Sequence, residues 1–504
     1  MLRRLTLTGA AGALLVAASS WRAGAVPLSF RSRPPALVAW NDLGGAVPRI
    51  AYYAGLAALV ASWLVLGRHV LKSPAEVDRR GLTLLAISWA LPLMAAMPVA
   101  SRDLWAYAAQ GNLEHRGFDP YVATPAQLPG VFADNVSNRW INSTSPYGPL
   151  WLLIGRRVAA LSGGHVQLTV FVLRLPALLG LLMMIWALPR IAERIGRRAD
   201  VALWLAAASP LALVMGLGGG HNDLLMAGVM TLGALAAVSP GSALHTLGAA
   251  AALTAAATAV KSPALIAVAF VVPLWLRYGD RPRRPQSVRR VVTAASVAAT
   301  CAVVTFTLIS MAGQHGLGWV KQTNVDAQAN WISLPTSAAM FVKLVSGHTT
   351  GTTSVDDSMR YWRTGGVVLA AVLIAVLWLL ATRDAIGHKQ RRLDVMTALA
   401  AAMTLIVLLG PTVQPWYFGW ALPFAALCVL PARTGGALVA ATVALVLIVR
   451  PEGRGVQMQP VVLAVLAVGA ALGWLTVRRS TSVPGDDHAD SARAGVRADG
   501  RPDL

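Results

Sequence analysis

The stretch Thr364–Thr382, TGGVVLAAVLIAVLWLLAT, holds no charged residue. A helix crosses the hydrocarbon core of a bilayer with about 20 apolar residues, so this segment is long enough to span. It does not stand alone. Comparable runs lie near 5–21, 50–67, 82–99, 165–188, 201–217, 223–238, 243–259, 263–276, 290–312, 395–411, 417–431, 435–449 and 458–477. The pattern predicts about fourteen transmembrane or membrane-embedded helices. Because lipid offers no partner for backbone N–H and C=O groups, the fold class is all-α, a polytopic membrane helix bundle.

Composition leads to the same solvent. Of 504 residues, 56% are hydrophobic and 13% charged, with a mean hydropathy of +0.58; ordinary soluble domains carry about 25% charged residues. A typical soluble enzyme, a disordered chain and a disulfide scaffold are all excluded. Cys301 and Cys428 fall in apolar runs without metal or redox spacing and read as small hydrophobes. The 43 Lys and Arg against 22 Asp and Glu give a formal charge of +21. These basic residues cluster between apolar runs, which fits orientation in a membrane and contact with anionic lipid headgroups, not nucleic acid.

The same clusters set the topology. Arg68 to Arg80, Arg190 to Arg198, Arg277 to Arg290 and Arg383 to Arg392 form one set of alternate loops, and the opposite set is almost bare. Lys and Arg beside helix ends stay in the cytoplasm, so both termini are expected inside a plasma membrane and the long connections outside. Arg3 and Arg4 before the first apolar run also resemble a secretory signal, although a retained helix is preferred. One membrane domain is expected over 1–478. The Ser-, Asp-, Gly- and Arg-rich segment 479–504 reads as a disordered cytoplasmic tail, too polar to bury a core.

Two outer connections, 100–164 and 313–363, are too long to be turns and are expected to be ordered and to carry a site. The first opens on Ser101-Arg102-Asp103-Leu104-Trp105-Ala106-Tyr107. An acid there sits where a lipid-borne headgroup meets a water-borne substrate, though Trp105 and Tyr107 could serve only as interfacial anchors. Rigid turns follow at Asp119-Pro120-Tyr121 and Pro146-Tyr147-Gly148-Pro149, with Arg139 and Trp140 between them, and 150–161 has the spacing of an interfacial helix. On the same side lie Gly218 to Asp223, ending His221-Asn222-Asp223, and Lys261 in a turn. The glycine turn can present amides and an imidazole to an anion, or it can be a capped hairpin. Trp331, Trp416 and Tyr417 offer ring faces to a sugar or a lipid, and Arg450 and Arg454 run against the inside-positive pattern, which suggests a phosphate. No nucleotide-binding, zinc-protease or serine-hydrolase signature is present.

Ser101-Arg102-Asp103 with Tyr107 and Gln110-Gly111, then Asp119-Pro120-Tyr121, Pro146-Tyr147-Gly148-Pro149, Gly220-His221-Asn222-Asp223, Val260-Lys261, Asn330-Trp331 through Thr336, Pro415-Trp416-Tyr417 and Pro451-Glu452-Gly453 form an ordered series. The series resembles the polyprenol-phosphate-mannose-dependent α-(1→6)-mannosyltransferases of actinobacteria, within the GT-C superfamily. The resemblance implies a multi-helix bundle with an extracytoplasmic site, a polyprenyl-phosphate-mannose donor and a lipid-anchored mannan acceptor. It implies a carboxylate in the first long outer loop, matched here by Asp103, with Glu114 and Asp119 as nearby alternatives. The superfamily often has an acidic pair where this chain has Arg102-Asp103, so no metal and no cofactor are expected. Donor-phosphate contacts are expected from Lys261, His221, Arg450 and Arg454, and substrate contacts from Tyr107, Asp119, Tyr147, Asn222, Asp223, Trp331, Trp416 and Tyr417. A lipid-linked-sugar flippase is the alternative, as is a transferase on the same fold using another sugar or linkage.

Overall fold

The computed structural model describes residues 1–33, 45–72, 78–279, 287–314, 316–322, 332–346, 357–387 and 393–453. Among these residues the chain is helical and forms no β-strand. In chain order the main helices are α1 (Leu2–Ala23), α2 (Ala46–Lys72), α3 (Arg79–Leu93), α4 (Asp103–His115), α5 (Pro149–Leu161), α6 (Val166–Val172) and α7 (Leu175–Arg194). After them come α8, broken into Ala199–Ala207 and Leu211–Gly218, then α9 (Asn222–Ala237), α10 (Gly248–Val260), α11 (Leu265–Leu274), α12 (Val288–Gly313), α13 (Leu334–Val345), α14 (Asp357–Gly387), α15 (Val395–Leu409) and α16 (Ala432–Leu447).

Five helical stretches among the described residues are long and apolar enough to cross a membrane, six if the bent α8 pair counts as one span. Shorter apolar helices fill the bundle beside them, so helix length alone does not yield fourteen crossings. The segment 458–477, expected as the last helix, and the tail 479–504 lie outside the described residues. Helices α12 and α14 leave most of their apolar surface uncovered, including Val303, Leu308, Val372 and Val376. An uncovered apolar face of that extent is stable against lipid tails, not water.

Packing without a hydrophobic drive between helices relies on small residues that let backbones approach. A Cβ on Gly180 of α7 would stand 2.1 Å from the Leu224 carbonyl oxygen of α9, and one on Gly228 would stand 2.4 Å from the Gly180 oxygen. Helices α4 and α5 meet the same way, since a Cβ on Gly111 would lie 2.6 Å from the Gly155 carbonyl.

Helix α8 bends by 45° at Ser209-Pro210, where proline removes a backbone donor. The first half turns from α-helix to wide π-turns at Leu203, and the second is π-wound throughout. On its inner side the Trp63 indole N–H donates to the Trp204 carbonyl at 2.8 Å and the Trp204 indole returns the bond to the Trp63 carbonyl at 2.9 Å. Gly67 is the space that admits the second ring, because a Cβ there would sit 2.1 Å from it. Fully buried Arg174 donates to the Met94 oxygen at 2.9 Å and the Gly218 oxygen at 3.3 Å. It ties the end of α3 to the end of α8 and so fixes the glycine turn that follows.

The basic loops gather at one end of the bundle. Arg79 pairs with Glu193 at 3.0 Å, Arg198 with Asp200 at 2.6 Å, and Asp394 receives both the Tyr278 hydroxyl and, at 4.0 Å, Arg197. The Gly218–Asp223 turn, Lys261, the Gln414–Tyr417 turn and the first residues of α4 meet at helix ends of the opposite sense.

Candidate functional site

Asp103 is the first residue of α4, and three turns converge to hold it there. The Asp103 N–H donates to the Ser101 hydroxyl at 2.9 Å, and the Ala100 N–H donates to the Pro451 carbonyl at 3.0 Å. Ala100 adopts φ 69°, a conformation that costs a residue with a Cβ on the order of 1–3 kcal/mol. Gly453 (φ 75°) lies against the Ser101 backbone and Gly220 (φ 68°) against Leu104; at both, a side chain would be strained and would collide.

About one and two helical turns apart on the same face, Asp103, Ala106 and Gln110 line a cavity of about 580 Å³. This lies within the range of roughly 300–1,000 Å³ that holds small-molecule ligands. Arg139, Tyr147, Lys261 and Tyr417 complete the walls that matter for the chemistry. Asp103 is the sole acid among the described lining residues. A smaller lobe of about 40 Å³ shares Asp103, Arg139, Trp140 and Gln414 with the main cavity and extends to Trp416.

Lys261 terminates α10 inside a cage. Its ammonium pairs with Asp223 Oδ1 at 2.8 Å, and the Trp420 indole N–H donates to the same oxygen at 2.5 Å. The nitrogen stands 4.3 Å from the Tyr417 ring centre, 5.3 Å from Trp420 and 5.8 Å from Tyr147. Ring faces are electronegative, so the cage adds attraction while excluding water. Tyr417 and Trp420 stack at 4.4 Å because the segment Pro415–Trp420 is a 3₁₀ turn, in which residues three apart eclipse.

Tyr147 reaches the cage because its neighbour Gly148 docks on α10. The Gly148 N–H donates to the Val260 carbonyl at 3.1 Å, and a Cβ there would lie 2.2 Å from the Ala259 oxygen. Gly148→Val is therefore expected to lower thermal stability, on the scale of about 1–3 kcal/mol for overpacking, and to open the cage. Thermal unfolding in detergent beside a transfer assay checks this; an unchanged Tm would show that the approach is not tight.

His221 is fully buried beneath Trp416, its ring stacked at 4.0 Å and 14°. Its Nδ1 lies 2.6 Å from the Met215 carbonyl oxygen, which can only accept, so Nδ1 carries the proton. Nε2 faces Asp103 Oδ2 across 3.8 Å. Burial pushes the basicity of this imidazole down, opposed by the nearby carboxylates of Asp103 and Asp223. Burial likewise raises the Tyr147 and Tyr417 phenols well above their usual range, helped by Asp103 at Tyr147 and by Asp223 at Tyr417. Both remain protonated donors at neutral pH.

The other expected positions distribute as follows. Tyr107 is buried behind the wall, edge-on to Tyr147 at 5.0 Å, with its hydroxyl 3.4 Å from the Asn222 amide oxygen. Asn222 and Asp223 are buried behind the lining with it. Asp119 accepts from the Tyr121 N–H at 2.9 Å, and the Tyr121 hydroxyl donates to the Tyr147 carbonyl at 2.9 Å, so this acid shapes the loop. Neither Asp119 nor buried Glu114 is among the described residues lining the cavity, and neither is Arg450. The Arg450 carbonyl instead closes the turn to Gly453 at 3.0 Å. Arg102 points into the loop, donating to the carbonyls of Val26 at 2.9 Å and Asn135 at 3.0 Å. Trp331 and Arg454 lie outside the described residues. Among the described residues no cluster of three or more His, Cys, Asp or Glu could hold a metal.

Sequence reasoning gave no role to Gln110, Arg139, Trp140, Gln414 or Trp420, all of which line the cavity. A signal existed for two of them: Gln110 follows Asp103 at i+7 on one helix, and Trp420 follows Tyr417 at i+3.

The described residues form an apolar bundle whose end holds a sugar-sized cavity with one carboxylate, two cations and aromatic walls, a lining suited to a membrane-embedded glycosyltransferase. The comparisons with known proteins narrow the class. The chain belongs to the alpha-(1->6)-mannopyranosyltransferase family, whose N-terminal-domain model matches residues 6–277, while the MptB C-terminal domain matches residues 335–479. It is 32% identical over 480 residues to alpha-(1->6)-mannopyranosyltransferase A of Mycobacterium tuberculosis, covering 94% of this chain and 89% of that protein. It is 28% identical over 385 residues to the A protein of Corynebacterium glutamicum (73% and 76% covered), and 25% over 450 residues to that organism's B protein (83% and 72%). No solved structure matches the chain.

Proposed function

We propose that this mannosyltransferase moves mannose from polyprenyl-phosphate-mannose to the 6-hydroxyl of a lipid-anchored mannan, building an α-(1→6) backbone at the outer face of the plasma membrane. The observation that carries the reading is the placement of Asp103 as the lone described acid on a cavity that also holds Lys261 and Arg139. A β-linked donor giving an α product inverts at the anomeric carbon, so the acceptor oxygen attacks opposite the phosphate. One base suffices: Asp103 takes the hydroxyl proton, the new C1–O bond forms, and the bond to the phosphate oxygen breaks with its electron pair leaving on polyprenyl phosphate.

That leaving group needs charge stabilisation, not a proton. Lys261 is already balanced by Asp223, so its role is a fixed dipole aimed through the cage. Exposed Arg139, which forms no ion pair among the described residues, brings the net positive charge to the cavity wall. The aromatic faces of Tyr147, Tyr417 and Trp140 suit the C–H faces of sugars. The basic end of the bundle supports a cytoplasmic placement for both termini, with the cavity on the other side.

Product analysis tests the reading. Membranes containing the full chain, given labelled polyprenyl-phosphate-mannose and a short α-mannoside, are expected to yield an α-(1→6)-linked mannose. A different linkage or sugar, or donor crossing the membrane without transfer, would replace it.

A further inference from the structure

In the resting site a neutral imidazole and a carboxylate face each other as two acceptors. Nδ1–H of His221 is committed to the Met215 carbonyl at 2.6 Å, which leaves Nε2 with a lone pair. Nε2 is buried without a hydrogen-bond partner, and it lies 3.8 Å from Asp103 Oδ2, too far for a bond and with no proton to share. A buried acceptor left unpaired costs free energy, and the ring cannot swing away because it is stacked on Trp416 at 4.0 Å. A proton delivered to Asp103 Oδ2 would give Nε2 the donor it lacks.

We propose that His221 is a positioning residue for the transfer step, whose Nε2 accepts a hydrogen bond from the protonated form of Asp103. This deepens the reading of Asp103 as the base and rests on it. The acceptor hydroxyl gives its proton to Asp103 Oδ2 as the sugar–oxygen bond forms. The new Oδ2–H then donates to Nε2, closing the gap and pairing the orphaned nitrogen. The bond is absent in the resting site and forms once the proton has reached Oδ2, so it stabilises the protonated carboxyl that the transfer step generates and not the ground state. When the product leaves, Asp103, which keeps some contact with the cavity, returns the proton to water.

The test is His221→Phe, which keeps an aromatic ring on Trp416 and removes both nitrogens, made in the full-length membrane protein. A lost hydrogen bond of this kind is expected to lower kcat about 10- to 100-fold, with KM for donor and acceptor within about twofold. His221→Gln, whose amide oxygen can still accept from Oδ2–H, should fall between wild type and His221→Phe in kcat; it decides the matter if the Phe variant does not fold. Unchanged kcat, or a rise in KM alone, in both variants would overturn the proposal. If instead the wild type fails to transfer mannose from the labelled donor, it is the reading of the reaction that falls.

Discussion

Asp103→Asn is expected to reduce mannosyl transfer by about 10²- to 10⁴-fold, the usual worth of a positioned general base. The amide matches the carboxylate in shape and keeps the N-terminal position on α4, and the contacts that hold the backbone there involve Ser101, Pro451 and the turns of Gly220 and Gly453. Folding should therefore survive, with the Tm in detergent close to that of the parent. What the amide cannot do is take a proton. An incoming 6-hydroxyl would then have to attack as a neutral alcohol, and the positive charge developing on its oxygen would go unrelieved in a cavity whose other charged lining residues are cationic. Donor binding should change little, because the cations are untouched. A single-turnover assay with labelled polyprenyl-phosphate-mannose reads the chemical step. A near-normal rate in that assay would take Asp103 out of the mechanism.

The membrane bundle was legible because each helix declares itself by a local property, a run of apolar residues, and the lipid solvent enforces the rest. Asp103 and Lys261 were legible as charged groups beside such runs, where a charge has a cost that function must justify. The pairing of Lys261 with Asp223 was not, since 38 residues separate them and only the return of α10 beside α9 brings them together. Nor was the place of His221. Its orientation depends on the Met215 carbonyl, which the π-wound end of α8 presents, and no side-chain pattern encodes where a wide turn aims a carbonyl. Arg450 shows the reverse case: its charge drew attention in the sequence, while the structure uses the backbone of its turn to brace Ala100. Loop residues Arg139 and Trp140 reach the cavity through turns whose path is set by tertiary contacts.

Removing one member of the buried ion pair should produce the largest loss of stability. In Lys261→Met the Asp223 carboxylate, nearly inaccessible to solvent, keeps the Trp420 indole but loses its counter-charge. Stranding a buried charge in this way costs about 3–5 kcal/mol. The tyrosines cannot compensate, because a phenol is neutral or anionic and supplies no positive charge. The fall should appear as a large drop in Tm together with loss of transfer. Lys261→Met combined with Asp223→Asn removes the stranded charge while keeping an acceptor for Trp420, so most of the lost stability should return. Activity should not return with it, because the dipole proposed above to face the donor phosphate is gone. If the double variant regained both, the pair would be a packing device; if it regained neither, Asp223 would be answering to something other than Lys261. Recovery of the fold without recovery of turnover is what a charge kept for the substrate, at a cost to the bundle, requires.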